Sequence, residues 1–115
     1  MEIEILKSKL HRATVTQTLL EYEGSVSIDT ELIKAARMHP YEKVDIFNIN
    51  NGARFSTYVI PGGPGEICLN GAAARLAVPG DKIIIAAYAR VSEQDADGWK
   101  PAVVLLGDGN RIQHT

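Results

Sequence analysis

The sequence is poor in several features that would each indicate a class of protein. Its 115 residues contain one cysteine, Cys68, so no disulfide can form within the chain and a disulfide-stapled fold is excluded. Cys68 lies in the apolar run Ile67-Cys68-Leu69, which predicts a buried and reduced thiol. A reduced thiol is typical of the cytoplasm, where we expect this protein.

Charge of one sign and long apolar runs are also missing. The 12 Lys and Arg residues nearly balance the 14 Asp and Glu residues, and the formal net charge is −2. No general field therefore attracts nucleic acid or an anionic membrane, and any anionic ligand must be held by individual cations. No run approaches the roughly 18 apolar residues of a membrane span, and the start Met1-Glu2-Ile3-Glu4 is unlike a signal peptide.

The sequence has neither a metal-ligand spacing nor a phosphate-binding loop. His11, His39 and His114 are far apart, so we expect no metal site. A glycine-rich loop such as GxGxxG is absent. The chain length suits one domain, residues 1–115, which buries roughly two-thirds of its unfolded surface around one core.

What the sequence does contain is a succession of short β-strand patterns separated by turn residues. The clearest helix spans 29–38 with Asp29 as its N-cap, and a second short helix is predicted over 71–76. A helical turn is expected at 92–97, and a polar tail follows Leu106. Many short strands with few helices predict a mainly β fold, a closed or nearly closed barrel. Extended segments are predicted over 3–10, 13–16, 44–50, 53–60, 66–69, 82–91 and 99–106.

The strongest local pattern is a hairpin around Asn51-Gly52. This dipeptide between β-rich arms predicts a two-residue type I′ turn. Because side chains alternate along a strand, Arg54, Ser56 and Tyr58 should share one face, and Thr57 should lie on the other. Without further context, a solvated charge and a core or rim aromatic are the commoner roles of Arg54 and Tyr58.

Gly24-Ser25 is the dipeptide most able to carry chemistry. The Gly24 carbonyl has no Cβ beside it, and the Ser25 hydroxyl lies on the next residue, so it could attack the preceding peptide bond. Gly-Ser is also among the commonest turn dipeptides. Taken alone, the pair indicates a loop.

Four segments of the chain occur in an order that carries more information than any one of them. They are Lys9-Leu10-His11-Arg12, Tyr22-Glu23-Gly24-Ser25, Asn51-Gly52-Ala53-Arg54-Phe55-Ser56-Thr57-Tyr58 and Asn70-Gly71-Ala72-Ala73-Ala74. Together they resemble the aspartate 1-decarboxylases, pyruvoyl-dependent lyases that make β-alanine for pantothenate biosynthesis. The resemblance covers residues 6–88 and implies a double-psi β-barrel with short helices. It further implies a homotetramer with sites between subunits, and self-cleavage into residues 1–24 and 25–115.

The resemblance implies a cofactor that is made from the chain itself. Attack of Ser25 on the Gly24 carbonyl gives an ester, and elimination then splits the chain and leaves a pyruvoyl group in place of Ser25. Its ketone would form a Schiff base with the amine of L-aspartate and accept electrons when CO₂ leaves. Neither pyridoxal phosphate nor a metal is then needed, which agrees with the absence of a phosphate loop.

The resemblance also assigns roles to individual residues. Ser25 and Tyr58 are the catalytic residues, and Tyr58 is the proton donor. Lys9 and Arg54 serve the carboxylate that the substrate retains, a role that suits the planar guanidinium of Arg54. The other substrate-binding residues are Thr57, Gly71, Ala72 and Ala73, and the supporting residues are His11, Tyr22 and Asn70.

Three features depart from what the family pattern requires. Thr57 faces away from Arg54 by strict alternation, so a β-bulge or a site between subunits is needed to bring it to the substrate. Phe47 stands where many members have tryptophan, and the connection between Tyr58 and Asn70 is shorter than in well-known members.

Two other functions are compatible with the residues. The first is a non-enzymatic barrel that serves as a binding module, with Gly24-Ser25 as a plain turn. The second is a self-cleaving domain that uses Ser25 as an N-terminal nucleophile for hydrolysis. The sequence does not decide whether the chain is cut or whether a helper protein assists its maturation.

Overall fold

The computed structural model describes residues 1–115, and about half of them lie in β-strands. Short helices connect some strands: α1 covers Thr30–Ala35, α2 covers Glu93–Ala96, and 3-10 helices cover Gly71–Leu76 and Asp108–Asn110. None of these helices has the length and apolar character needed to cross a membrane. The strands are β1 (Glu2–Thr14), β2 (Gln17–Leu19), β3 (Ser25–Asp29), β4 (Lys43–Asn48), β5 (Arg54–Gly62), β6 (Ile67–Asn70), β7 (Lys82–Ser92), β8 (Ala102–Leu106) and β9 (Ile112–His114).

The nine strands form one sheet, in the order β2-β6-β3-β5-β4-β7-β1-β8-β9. The pairs β1–β8, β2–β6 and β3–β5 are parallel, whereas the remaining neighbours are antiparallel. The two edge strands, β2 and β9, do not pair with each other. The mainly β fold class is confirmed, and this mixed sheet with few short helices is consistent with a double-psi β-barrel.

The core is one contiguous cluster of 21 buried residues. Its centre is a row across three strands, because Leu10 of β1 and Ile46 of β4 both pair with Ile85 of β7. All three side chains are fully buried, and each contributes about 1.5–3 kcal/mol of hydrophobic free energy relative to full exposure. The apolar run in the sequence of β7 is explained by this central position.

The prediction of two separate extended segments before residue 17 is wrong, because β1 runs without a break to Thr14. A β-bulge interrupts its pairing with β7 between Leu10 and Ala13, and Arg12 within it has a φ of 63°. The extra residue changes which side chains face the core. Sequence alternation alone therefore suggested a new strand at this point.

Helix α1 begins where the sequence predicts it to begin, but it ends earlier. The Asp29 side chain accepts a hydrogen bond from the Glu31 backbone N–H at 2.8 Å, which confirms the N-cap. Helical residues stop at Ala35, and Arg37 has a φ of 55°, in the left-handed region. Fewer than two turns of helix therefore pack against β3 and β5.

The predicted type I′ turn at Asn51-Gly52 is wrong. Gly52 has a φ of 78°, but Asn51 is not among the residues with positive φ, and a type I′ turn requires both. The Gly52 N–H donates to the Asn48 carbonyl at 2.9 Å, and the Asn48 N–H donates to the Ala53 carbonyl at 2.8 Å. A wider loop therefore joins β4 to β5.

The segment after Leu106 is not a simple polar tail. It forms the second 3-10 helix and β9, which pairs with β8. Asn110 joins this segment to the body of the protein, since its side chain donates to the Thr14 and Gly65 carbonyls at 2.9 Å and accepts from the Thr14 N–H at 2.7 Å. Its φ of 58° is a conformation that asparagine tolerates better than most residues.

Candidate functional site

The site is centred on Ser25, the first residue of β3. Its side chain is 1% exposed, and its Oγ accepts a hydrogen bond from Asn70 Nδ2 at 2.8 Å. The Ser25 hydroxyl donates to the Glu23 carbonyl oxygen at 3.3 Å. Antiparallel pairing of Ser25 with Asn70 across β3 and β6 fixes both groups on rigid backbone. A buried serine held by a fixed donor is a candidate nucleophile.

The peptide bond before Ser25 is approached closely by a second glycine. Gly24 itself is exposed, and a Cβ built there would meet nothing within 4 Å. Gly71 has a φ of 67°, and a Cβ at this position would lie 2.8 Å from the Gly24 N and Cα and from the Tyr22 carbonyl oxygen. The only residue type that permits this approach is glycine. The left-handed conformation thus occurs at Gly71, and neither Gly24 nor Ser25 has a positive φ.

A cavity of about 280 Å³ opens beside Ser25. The Tyr58 side chain lines this cavity, so the structure brings the two predicted catalytic residues together. Tyr22, predicted as a supporting residue, is also in the wall. The lining contains no lysine or arginine: it consists of Tyr22, Glu23, Ser25, Tyr41, Tyr58, Ile60 and Pro61.

Tyr41 is a wall residue that the sequence interpretation missed. It is 77% exposed, its ring centroid lies 6.2 Å from that of Tyr58, and its φ is 70°. Its N–H donates to the Val59 carbonyl at 2.6 Å, and the neighbouring Glu42 carboxylate pairs with Lys7 at 2.6 Å. A left-handed tyrosine is uncommon, and nothing in the sequence pattern signals one here.

Arg54 lies apart from Ser25 within the chain. It lines a different cavity of about 310 Å³, together with Asp45 and Tyr88. Its guanidinium stacks over the Phe47 ring, 4.3 Å from the centroid, so the phenylalanine found in place of tryptophan still provides an aromatic face. Burial and the nearby Asp45 carboxylate raise the pKa of Tyr88, and the phenol stays protonated at neutral pH.

Thr57 and Lys9 are also outside the Ser25 cavity. Strand β5 pairs with β4 without a register shift from Arg54 to Tyr58, so the β-bulge considered as a way to reorient Thr57 is absent. Lys9 pairs with Ala86 of β7. Two strands, β7 and β4, separate it from β5 in the sheet.

His11 is partly buried at the start of the β1 bulge, and its Nδ1 has no hydrogen-bond partner. Burial, followed by the positive charges of Lys9 and Arg12, lowers the pKa of His11, so the imidazole is neutral at pH 7. No group of three His, Cys, Asp or Glu side chains is arranged to hold a metal ion.

The predicted short helix after Asn70 is present as the 3-10 helix Gly71–Leu76. Gly71 and Ala73 are buried in it, whereas Ala72 is exposed. The Asn70 side chain does not cap this helix: its Oδ1, the atom that would accept from a helix N–H, accepts instead from the Cys68 thiol at 3.2 Å, and its Nδ2 donates to Ser25 and Ser27. Gly71 brings the start of this helix against the backbone of Gly24 and Tyr22.

The fold and this geometry define a mainly β protein with a serine-centred cavity built on paired strands. A family model described as "Aspartate decarboxylase" matches residues 1–113. The chain belongs to the aspartate decarboxylase family.

Individual relatives match almost the whole chain. The aspartate 1-decarboxylase of Ralstonia nicotianae is 58% identical over 115 residues, which cover 98% of this chain and 96% of the relative. The aspartate 1-decarboxylase of Hydrogenobaculum sp. is 59% identical over 112 residues, which cover 97% of this chain and 90% of the relative. That of Syntrophus aciditrophicus is 56% identical over 116 residues, covering 99% and 100%. The resemblance inferred from four motifs is therefore confirmed.

Proposed function

We propose that this chain is a self-processing aspartate 1-decarboxylase, which converts L-aspartate to β-alanine and CO₂ for pantothenate biosynthesis. The observation that carries the proposal is the position of Ser25. Its buried oxygen accepts a hydrogen bond from Asn70 and lies at the same cavity as Tyr58, and the residue before it, Gly24, has open space where a Cβ would be. The names of the relatives support aspartate as the substrate.

The first stage is cleavage of the backbone. Ser25 Oγ bonds to the Gly24 carbonyl carbon, the C–N bond breaks, and the hydroxyl proton passes to the nitrogen. Loss of the Ser25 Cα proton then expels the Gly24 carboxylate from Cβ, which cuts the single domain into residues 1–24 and 25–115. One water adds, one ammonia leaves, and the new N-terminus is a pyruvoyl group. Asn70 Nδ2, 2.8 Å from Oγ, stabilises negative charge on that oxygen.

The residues around Ser25 fit a pyruvoyl group. Asn70 Nδ2 is a donor already held 2.8 Å from the Ser25 side-chain oxygen, and a cavity of about 280 Å³ leaves room for a small amino acid. The group supplies a ketone that binds the amine of the substrate and withdraws electrons as CO₂ departs. Strand β6 would hold it through the backbone pairing at Asn70 that holds Ser25. Neither a metal nor pyridoxal phosphate takes part in this proposal.

Tyr58 is the proposed proton donor to the carbon that has lost CO₂. Its phenol shares the cavity with Ser25, and a neutral phenol can transfer a proton to a carbanion at pH 7. Tyr22 forms the wall beside the scissile bond. His11, neutral at pH 7, lies on β1 near Lys9 and orders the site without exchanging protons with the substrate.

The substrate carboxylates require cations that the cavity of one chain does not contain. We therefore place the site between subunits of a homotetramer, where Arg54, Lys9 and Thr57 of one subunit reach the Ser25 cavity of another. A site between subunits would also allow Thr57 to contact the substrate, although it faces away from Arg54 by alternation and no β-bulge reorients it within the strand. The backbone of Gly71, Ala72 and Ala73 contributes the remaining substrate contacts.

Intact mass under denaturing conditions tests this function most directly. We expect two fragments, residues 1–24 and 25–115, the larger being lighter by one ammonia than a chain that begins with serine. A cleaved chain with an ordinary Ser25 would favour the N-terminal nucleophile. A chain that stays whole and forms no β-alanine would favour the binding module.

The matched control is Ser25→Ala, which should remain one uncut and inactive chain because the attacking oxygen is gone. Cleavage of this variant at the same bond would remove Ser25 from the mechanism. Incubating the purified wild-type chain alone also shows whether cleavage needs a maturation helper. The free and buried thiol of Cys68 supports the cytoplasm as the compartment in which processing occurs.

A further inference from the structure

Four buried polar side chains form a connected network between β3 and β6. Asn70 donates through its Nδ2 to Ser25 Oγ at 2.8 Å and to Ser27 Oγ at 3.0 Å. The Cys68 thiol donates to Asn70 Oδ1 at 3.2 Å. In the register of the two strands, Ser25 lies opposite Asn70 and Ser27 lies opposite Cys68. Because alternate residues of a strand share a face, all four side chains lie on the same face of the sheet.

The orientation of the Asn70 amide determines whether negative charge on Ser25 Oγ is stabilised or opposed. With Nδ2 toward the serines, two N–H groups point at the two hydroxyl oxygens. With the amide reversed, the negative Oδ1 would face Ser25 Oγ and oppose any negative charge on it. A donor that favours the charged form of an oxygen makes its proton easier to remove.

We propose that Cys68 is a positioning residue for self-cleavage, because its S–H group holds the Asn70 amide in the orientation that directs both N–H groups at Ser25 and Ser27. The inference rests on the proposed function and extends it to a residue that does not touch the scissile bond. Each acceptor and donor of the Asn70 side chain then has a partner in the buried network. A reversed amide would exchange the S–H donor for a weak sulfur acceptor.

The surroundings of Cys68 keep its thiol protonated. Cys68 is 1% exposed and lies on β6 directly opposite Ser27 of β3. Burial, with a smaller contribution from the Glu66 carboxylate, raises the pKa of Cys68. The sulfur therefore retains the proton that it donates to Asn70 at neutral pH.

The test compares three replacements of Cys68 by the rate of self-cleavage. Cys68→Val keeps a similar volume without a donor, Cys68→Ala also lacks the donor but adds no bulk, and Cys68→Ser keeps a donor. Each chain is made by cell-free synthesis, quenched in denaturant at intervals, and scored by intact mass. The control is Ile67→Val, which shortens a fully buried neighbour whose side chain has no polar group.

We expect Cys68→Val and Cys68→Ala to slow cleavage about tenfold, the effect of losing one hydrogen bond of about 1.4 kcal/mol. Cys68→Ser should cleave within about threefold of the wild-type rate, and Ile67→Val should match the wild type. Thermal melting of each chain shows whether it is folded. Rescue by serine at a similar melting temperature is the result that packing alone would not produce.

Wild-type rates in both donor-free variants would overturn the inference, and so would equal slowing by Cys68→Ser and Cys68→Val. In either case the wild-type chain would still be cut, and the proposed function would stand. A wild-type chain that is never cut would overturn the proposed function and the inference with it.

Discussion

At the scale of single residues, the close approach of Gly71 to the Gly24-Ser25 bond is the strictest steric requirement of the site. Its positive φ and the 2.8 Å distances from an added Cβ to Gly24 atoms and the Tyr22 carbonyl leave no space for a side chain. Ser25 itself needs only burial and one donor, Asn70. The backbone next to the scissile bond is therefore in close contact with a residue that is distant in sequence.

Gly71→Ala should lower stability and also impair cleavage. The matched control is Gly52→Ala, since Gly52 has a similar φ of 78° but nothing within 4 Å of an added Cβ. The control should cost about 1–2 kcal/mol, the cost of a left-handed conformation, and leave cleavage unchanged. Gly71→Ala should cost more, because Gly24 or Tyr22 must move. Thermal melting and intact mass measure both effects, and equal behaviour of the two variants would contradict this account.

Tyr58→Phe separates the two stages of the proposed reaction. The variant keeps the ring that packs 6.2 Å from Tyr41 but loses the acidic proton. We expect a fully cut chain whose kcat falls by about 10²–10⁴-fold, the usual contribution of a general acid, with little change in KM. Intact mass and a β-alanine assay provide the two readouts. Unchanged turnover in a cut chain would remove Tyr58 from the role of proton donor.

At the scale of elements, the N-cap residues of the two α-helices differ in whether they also bind a segment outside the helix. Asp29 caps α1 through one carboxylate oxygen and accepts from the Gly65 N–H at 2.8 Å through the other. Ser92 caps α2 through one bond of 3.2 Å to the Asp95 N–H. Asp29 thus joins α1 to the turn before β6, whereas Ser92 acts on its own helix alone.

Asp29→Ala should therefore destabilise the protein more than Ser92→Ala. We expect a loss of about 2 kcal/mol for Asp29→Ala, at the upper end for an N-cap because the Gly65 N–H also loses its partner, against about 0.5 kcal/mol for Ser92→Ala. Urea unfolding of a cleavage-blocked Ser25→Ala background gives both values in one uncut chain. Equal losses would show that the bond to Gly65 contributes nothing measurable.

At the scale of the whole molecule, the proposed site between subunits rests on the distribution of charge. The Ser25 cavity has no cation, and Arg54 lines a separate cavity in which it stacks on Phe47. Arg54 and Tyr58 share a face of β5 but are about 13 Å apart along a regular strand. A second subunit is the simplest source of the missing cation.

Mixing two inactive chains tests this arrangement. Arg54→Ala and Tyr58→Phe should each have low activity, but their co-assembled mixture should regain about one active site in four, because some sites receive both intact residues from different subunits. The control is the two homogeneous proteins mixed after assembly, without subunit exchange. Activity no higher than that control would show that each site takes both residues from the same chain.

The sequence pattern determined local features whose causes are local. The Asp29 cap depends on a side chain reaching a backbone N–H two residues away. The four motifs determined the family, which the comparisons confirm. Where the pattern was wrong, at the turn near Gly52 and in the segment after Leu106, neighbouring strands decided the backbone.

Tertiary structure alone decided which of these residues meet. The sequence by itself placed Ser25 beside Gly24 and put Arg54 and Tyr58 on one strand face. Pairing of β3 with β6 and β5 brought Asn70 and Tyr58 to Ser25 and left Arg54 outside the cavity. These are contacts between residues far apart in the chain, and strand order and register, which no local pattern contains, set their distances.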